Sequence, residues 1–326
     1  MNLIVTNAGS YPRIGDTPEL QILRQTLARF DRQEATEADI RRAEDEMVRR
    51  AIAEQIEAGL DLVTDGQIRW YDPISHIAGR LKGTKINGLL RYFDTNFYFR
   101  QPILVDRLAR ERPILVEEYR YACSVSARPV KPVLTGPYTL AVFSLVECAE
   151  YRDLERRVEA YAVALAEEIA DLAAAGAELI QVDEPAIVLD DADWDLFAAG
   201  VRALARAKGT ARLALYISFG DVSPFYERLQ ALPVDVLGLD FTYSPQLVER
   251  IAIEGSAKAL GLGLIDGRNT KLEPEAEVAA ALERMLPAIR SEVVYVNPST
   301  GLELLPRDRA FRKLQHLVRI ATRFKR

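Results

Sequence analysis

The stretch AAAGAELIQVDEPAIVL, residues 173–189, reads as a helix end, a cap at Gly176, a buried strand Leu179-Ile180-Gln181-Val182, and then two acids and a proline. Pro185 lacks the N–H that a central strand needs, so the chain must turn there. Asp183 and Glu184 therefore stand where the strand runs out. Two adjacent carboxylates in that position cost solvation free energy unless a cation or a hydrogen-bond donor meets them. A ligand would meet them; so would salt bridges or the N-terminus of the next helix.

The same arrangement occurs earlier. AGLDLVTDG, residues 58–66, is again a helix end, a glycine, a short apolar strand and an acid, Asp65. Two matched units suggest one repeated helix–strand–acid element. In an α/β barrel the ends of several strands converge on one mouth, where ligands bind.

Outward from these units the beat continues. Short apolar runs lie at 3–5, 62–64, 132–134, 179–182, 213–217, 236–239, 259–264 and 293–296. Their near-continuous apolarity suits parallel strands buried on both faces. Helix-period segments fall between them at 37–55, 154–175, 194–207, 225–231, 246–253, 275–288 and 309–323, the first opened by a Thr36–Asp39 capping box. Residues 76–130 break the beat: 84–105 read as a hairpin excursion and 111–122 as the helix that returns the chain. The expected fold is a single α/β domain over residues 1–326, a (β/α)8 TIM barrel with a hairpin-containing insertion at 76–130 after the second strand. A doubly wound sheet is the alternative, weakened because no GxGxxG follows the first strand.

Composition bounds the function. An apolar share of 49%, a charged share of 28% and a net charge of −6 without a lysine-arginine run favour a small-molecule substrate over nucleic acid or an anionic membrane. No apolar segment approaches the roughly 18 residues of a membrane span, and MNLIVTNAGSYPR lacks a signal-peptide layout. Cys123 and Cys148 form neither a CxxC nor a disulfide framework, so the cytoplasm is the expected compartment. The chain has two histidines. His316 lies in a C-terminal helical pattern and reads as structural, whereas His76 could line a mouth loop. So few soft ligands make a metal site hard to assemble, and no Ser-His-Asp or Cys-His arrangement can be proposed. No catalytic residue is assigned on these grounds.

The strand ends carry Ser10 and Arg13, Asp65 and Gln67, Asp183 and Glu184, Tyr216 and Ser218, Asp240, Asp266 with Arg268 and Asn269, and Thr300. Converging, they would make an acidic mouth able to hold an ammonium group or a protonated heterocycle. Arg13 and Arg268 are candidate partners for a substrate carboxylate, or for those acids themselves.

GSYPRIG, AGLDLVTDG, TGPYT, IQVDEPAIVLD, LPVDVLGLD, LIDGRN and VNPSTGLELLP together, in this order, resemble the cobalamin-independent methionine synthase family. YPRIG, the DEPAIVLD extension and DGRN are most similar to the family's N-terminal, zinc-free barrel. The resemblance implies methyl transfer from a folate-type donor toward homocysteine or a related thiol. It also implies a zinc ion in the C-terminal barrel, held by His-x-Cys, Glu and Cys, but those positions read Tyr216, Ser218, Asp240 and Thr300 here. The family's Gly-Glu contact to homocysteine reads Gly66-Gln67, while Asp183 and Glu184 match positions used for the amino acid's ammonium. The implication is a barrel without a zinc site of its own, with a separate zinc-bearing barrel as its partner in the reaction. The alternatives are a non-catalytic ligand-binding subunit and a metal-free enzyme of the uroporphyrinogen decarboxylase-like superfamily.

Overall fold

The computed structural model describes residues 1–325. In chain order its elements are β1 (Asn2–Val5), α1 (Ile22–Asp31), α2 (Glu37–Glu57), α3 (Ser75–Ala78), β2 (Lys82–Arg91), β3 (Tyr98–Ala109), α4 (Val116–Val125), β4 (Val133–Thr135), α5 (Pro137–Phe143), β5 (Leu145–Val146), α6 (Leu154–Ala174), β6 (Leu179–Asp183), α7 (Trp194–Ala207), β7 (Arg212–Ile217), α8 (Tyr226–Gln230), β8 (Val236–Asp240), α9 (Leu247–Glu254), β9 (Ala259–Ile265), α10 (Glu275–Met285), β10 (Val293–Pro298) and α11 (Arg307–Thr322). Seven strands form one parallel sheet in the order β1-β10-β9-β8-β7-β6-β4. Single parallel bridges, Thr6 with Leu62 and Val63 with Val130, link the two edges of that sheet, so residues 62–63 take the place of the missing stave and the ring closes. This is the α/β barrel expected from the sequence.

The second strand itself is a correction. Residues 62–64 were expected to pair like the others, yet only Leu62 and Val63 make bridges. The reason is the buried carboxamide of Gln55 on α2. Its Nε2 donates to the carbonyl of Thr64 (2.9 Å), and its Oε1 accepts from the Thr64 N–H (3.1 Å). A side chain thus satisfies both backbone groups that a ladder would have used.

The alternation of side chains along each strand divides the interior in two. Leu62, Leu179, Ala214, Tyr216, Val236, Ala259 and Tyr295 fill the barrel, and the other strand faces pack with the helices in a larger outer core. The hairpin runs from 82 to 109, longer than expected, and β3 is also joined in parallel by β5 from the loop after α5. Neither α1 nor α5 was anticipated. The helix expected at 111–122 begins only at Val116, because the buried Glu168 of α6 accepts from the backbone N–H groups of Ile114 (2.8 Å) and Leu115 (2.7 Å) and from Arg110 (2.7 Å) and fixes the approach. Among the described residues no helix is long and apolar enough to cross a membrane.

Candidate functional site

Register places the site. Thr135 of β4, Asp183 of β6 and Tyr216 of β7 stand side by side across three neighbouring strands. At the C-terminal ends of these strands lies a cavity bordering about 480 Å³ of empty volume. Of the residues singled out in the sequence, Ser10, Gln67, Asp183, Tyr216, Ser218 and Thr300 line it; Glu303, Gln181, Tyr92 and Phe219 join them.

Asp183 is held from below. Lys131, fully buried just before β4, donates to Gln181 Oε1 (2.6 Å), and Gln181 Nε2 donates to Asp183 Oδ1 (2.7 Å). The carboxamide therefore links a cation beneath the floor to the acid above it. Burial pushes Asp183 up to about 7, against the pull of the Gln181 hydrogen bond and the Lys131 charge. The same burial pulls Lys131 down to about 7. Across the cavity Glu303 accepts from the Ser10 hydroxyl, and burial raises its carboxyl as well. A Cβ at position 301 would overlap Ser10 Oγ, so only glycine there allows that approach.

Tyr216 lies across the barrel interior, its phenol donating to Asn297 Oδ1 (3.2 Å). The hairpin tip supplies the aromatic wall. Tyr92 stands edge-on to Phe219, with ring centroids 5.4 Å apart, and Phe93 stacks on Phe219 at 5.0 Å. Phe93 and Phe219 both hold positive φ, 51° and 72°, which a bulky side chain tolerates only where its surroundings enforce it. Asp94 at the tip accepts from the Tyr243 hydroxyl and lies 3.8 Å from Arg268, so the tip is tied to the loops after β8 and β9.

The remaining candidates are elsewhere. Glu184 turns away from the mouth and caps α5, accepting from the backbone N–H of Tyr138 (2.9 Å) and from the N–H (2.7 Å) and hydroxyl (2.6 Å) of Thr139. Asp240 folds back on its own loop, taking the N–H (2.9 Å) and hydroxyl (2.5 Å) of Thr242. Arg13 donates to the carbonyl of Ile68 (2.7 Å) and lies over the ring of Tyr71; Arg268 and Asn269 are bound to Asp266. Neither arginine lines the mouth. Asp65, raised to about 6 by burial, lines a smaller pocket beside Lys131 and Glu118. His76 is buried, stacked on Trp70 and bonded to Glu118 (3.0 Å), not in a mouth loop. Exchanging Glu184 for glutamine should cost about 1–2 kcal/mol of stability and leave ligand affinity at the mouth unchanged. Chemical denaturation and a binding titration check both halves, and lost affinity in a stable variant would return Glu184 to the site.

Sequence reasoning missed Glu303 although it quoted the segment that holds it. Gln181 sits inside a strand read as apolar, and Tyr92 and Phe219 reach the mouth only through folding of distant loops.

Fold and site define an α/β-barrel protein with an acidic cavity at the C-terminal ends of its strands. The family profile described as "Cobalamin-independent synthase, Catalytic domain" matches residues 3–323. The chain is 34% identical to a protein named methionine synthase from Saccharolobus solfataricus, the match covering 94% of this chain and 91% of that protein. With its namesake from Sulfurisphaera tokodaii it shares 32% identity, over 94% and 89% of the two chains. The chain therefore belongs to the cobalamin-independent methionine synthase family. The fold agrees with that of a B12-independent methionine synthase from Shewanella sp. W3-18-1, solved in complex with selenomethionine (TM-score 0.80, 22% identity, 99% and 98% of the chains), and with a methyltransferase from Methanosarcina mazei (TM-score 0.65, 14% identity, 98% and 94%).

Proposed function

We propose that this barrel is a free-standing methyltransferase unit of the methionine synthase type, binding homocysteine or a related amino-acid thiol in the mouth for methylation at sulfur. The observation that carries the reading is Asp183, at the end of β6 in a mouth shared with Ser10 and Gln67. The family resemblance puts an ammonium at that acid. The selenomethionine bound to the Shewanella protein has the shape of such a product. Support for a barrel that stands alone comes from the Saccharolobus relative, which this chain matches over 91% of its length.

The donor set does not fit zinc. The Tyr216 phenol donates to Asn297, the Ser218 hydroxyl donates to the Ser299 carbonyl (2.8 Å), and Asp240 is taken up by its own loop. Borderline-soft zinc prefers sulfur and imidazole to phenol and hydroxyl. A thiol with its ordinary pKa of about 8.5 is mostly protonated at neutral pH. The proton must therefore leave to a base. A separate zinc-bearing barrel, the partner implied by the family, would supply the thiolate instead.

The experiment is metal analysis of the purified protein together with a methyl-transfer assay to homocysteine, using the family's folate-type donor, with and without a zinc-bearing barrel. Substoichiometric zinc is expected. Transfer by the chain alone supports the free-standing reading, and transfer only in the mixture supports the two-part enzyme. Zinc at one equivalent would overturn the metal-free site. Homocysteine binding without transfer under any condition would make the chain a binding subunit, and decarboxylation of a tetrapyrrole would place it with the wider superfamily.

A further inference from the structure

Lys131 is a cation in a place that offers it little. It is fully buried, and its ammonium makes one hydrogen bond, to Gln181 Oε1 (2.6 Å). The ring of Tyr216 lies 4.9 Å from it. Among the described residues it forms no ion pair at contact distance. A buried charge held so sparsely is costly to the fold. Burial accordingly pulls Lys131 down to about 7, and the charge that opposes this is Asp183, reached across the Gln181 carboxamide.

The strand alternation explains the stacking. Leu179, Gln181 and Asp183 share one face of β6 and rise layer by layer toward the mouth. Register sets Val133 beside Gln181 and Thr135 beside Asp183, so Lys131, two residues before Val133, starts a layer below Gln181. Both ends of the carboxamide are then committed. Oε1 accepts from Lys131, while Nε2 donates to the carbonyl of Ala8 and to Asp183 Oδ1 (2.7 Å). One oxygen of Asp183 is thereby tied to the floor. Among the described residues no donor takes the other, Oδ2, which is left for a ligand in the cavity that Asp183 lines. Linked hydrogen bonds of this kind polarise one another, so the ammonium is felt at the acid.

We propose that Lys131 is a positioning residue for the acceptor's ammonium: acting through Gln181, it supports the negative charge of Asp183 and leaves Oδ2 free in the mouth. The inference rests on the reading of Asp183 as the ammonium site and deepens it. Lys131 itself does not line the mouth. The sign follows from the charges. Asp183 must be ionised to hold an ammonium, and a cation beneath it favours that form. Removing the cation moves the titration of Asp183 upward and empties the site of charge near neutral pH. Well above pH 7 Lys131 has lost its own proton, so the advantage it gives disappears there. The other groups stay in place. Asp65 and Glu118 share a small pocket with Lys131, and Glu303, Glu184, Tyr92 and Tyr216 bear on Asp183.

The probes are homocysteine and γ-mercaptobutyrate, which keeps the thiol and carboxylate and lacks the amino group, titrated calorimetrically against the protein. Their affinity ratio isolates the ammonium. The wild type should prefer homocysteine at least about tenfold. In Lys131→Met that preference should fall about tenfold at about pH 6.5 and recover most of its value at about pH 8.5, where Asp183 ionises unaided. Lys131→Gln, neutral but still able to donate to Gln181 Oε1, should show the same pH-dependent loss. It carries the test where thermal melts show the methionine variant unfolded. A lysine that served the fold alone would give no such recovery with pH. An undiminished preference at the lower pH in a folded variant, a loss of equal size at both pH values, or failure of both variants to fold overturns the role of Lys131 and leaves the ammonium site standing. A wild type that binds homocysteine no better than the analogue removes the ammonium site, and the role of Lys131 with it.

Discussion

Gly238→Ala is expected to cost about 3 kcal/mol of unfolding free energy, and removing the Tyr216 ring in the same chain should return part of it. A Cβ built on Gly238 of β8 overlaps the Tyr216 ring, and one on Gly261 of β9 would stand 2.8 Å from its Cζ. The ring therefore lies flat over two strand backbones that only glycine leaves bare. It has no room to retreat, because its phenol is bonded to Asn297 and the Lys131 ammonium sits 4.9 Å from its centroid. Overpacking in such a site is relieved by backbone shifts, and these would open the strands that carry Asp183 and Asp240. Tyr216→Ala alone leaves a cavity and is destabilising in its own right. Paired with Gly238→Ala it should show a favourable coupling of about 1–2 kcal/mol, since each change removes the other's conflict. Urea denaturation of the four proteins measures the cycle. Strictly additive losses would mean that the Tyr216 ring does not lie over Gly238.

That pair also shows what a sequence yields and what it withholds. The strand pattern was legible because a parallel strand buried on both faces must be apolar throughout, so 179–182, 213–217, 236–239 and their fellows stand out. Asp183 was legible because an acid cannot continue such a run. The glycines of VLGLD and ALGLGLI let a ring lie against the backbone, but nothing local says that the tyrosine 22 positions before Gly238 is what packs on them. The second strand failed for a related reason: Gln55, nine residues away on a helix, competes with the ladder through its side chain. Glu184 was ambiguous at the outset between ligand and cap. Its direction depends on where α5 begins, and α5 itself was hidden in TGPYT, where glycine and proline read as a turn. Arg13 and Arg268 were named for their charge alone. Their loops bond them in place, and an arginine's reach makes its target unreadable from strand order.

Asp183→Asn is the second large effect, and its sign differs for ligand and for fold. The exchange removes the charge that meets a cationic group while preserving shape and one acceptor. Losing one member of a close charge pair costs about 2–4 kcal/mol, roughly 30- to 1000-fold in affinity. The empty barrel should respond the other way. Burial pushes Asp183 up to about 7 from its ordinary 3.8. Its contribution to stability is then fully present below about pH 4 and is lost as pH rises through 7. At pH 8 the wild-type barrel carries an ionised, poorly solvated acid that asparagine does not. The ceiling on that penalty is about 4 kcal/mol, and roughly half is expected because Asp183 partly meets solvent. Five neighbours bear on the titration: Lys131, Glu303, Glu184, Tyr92 and Tyr216. Lys131, itself pulled down to about 7, loses its attracting partner in the variant, which returns some of the gain below pH 7. The variant should therefore melt at or above the wild type at pH 8, with a smaller difference at pH 6, while binding homocysteine at least about 30-fold more weakly. Differential scanning calorimetry at the two pH values and a homocysteine titration decide it. A variant that melts lower at pH 8 would make Asp183 a structural acid, and one that binds as well as the wild type would remove it from the mouth's chemistry.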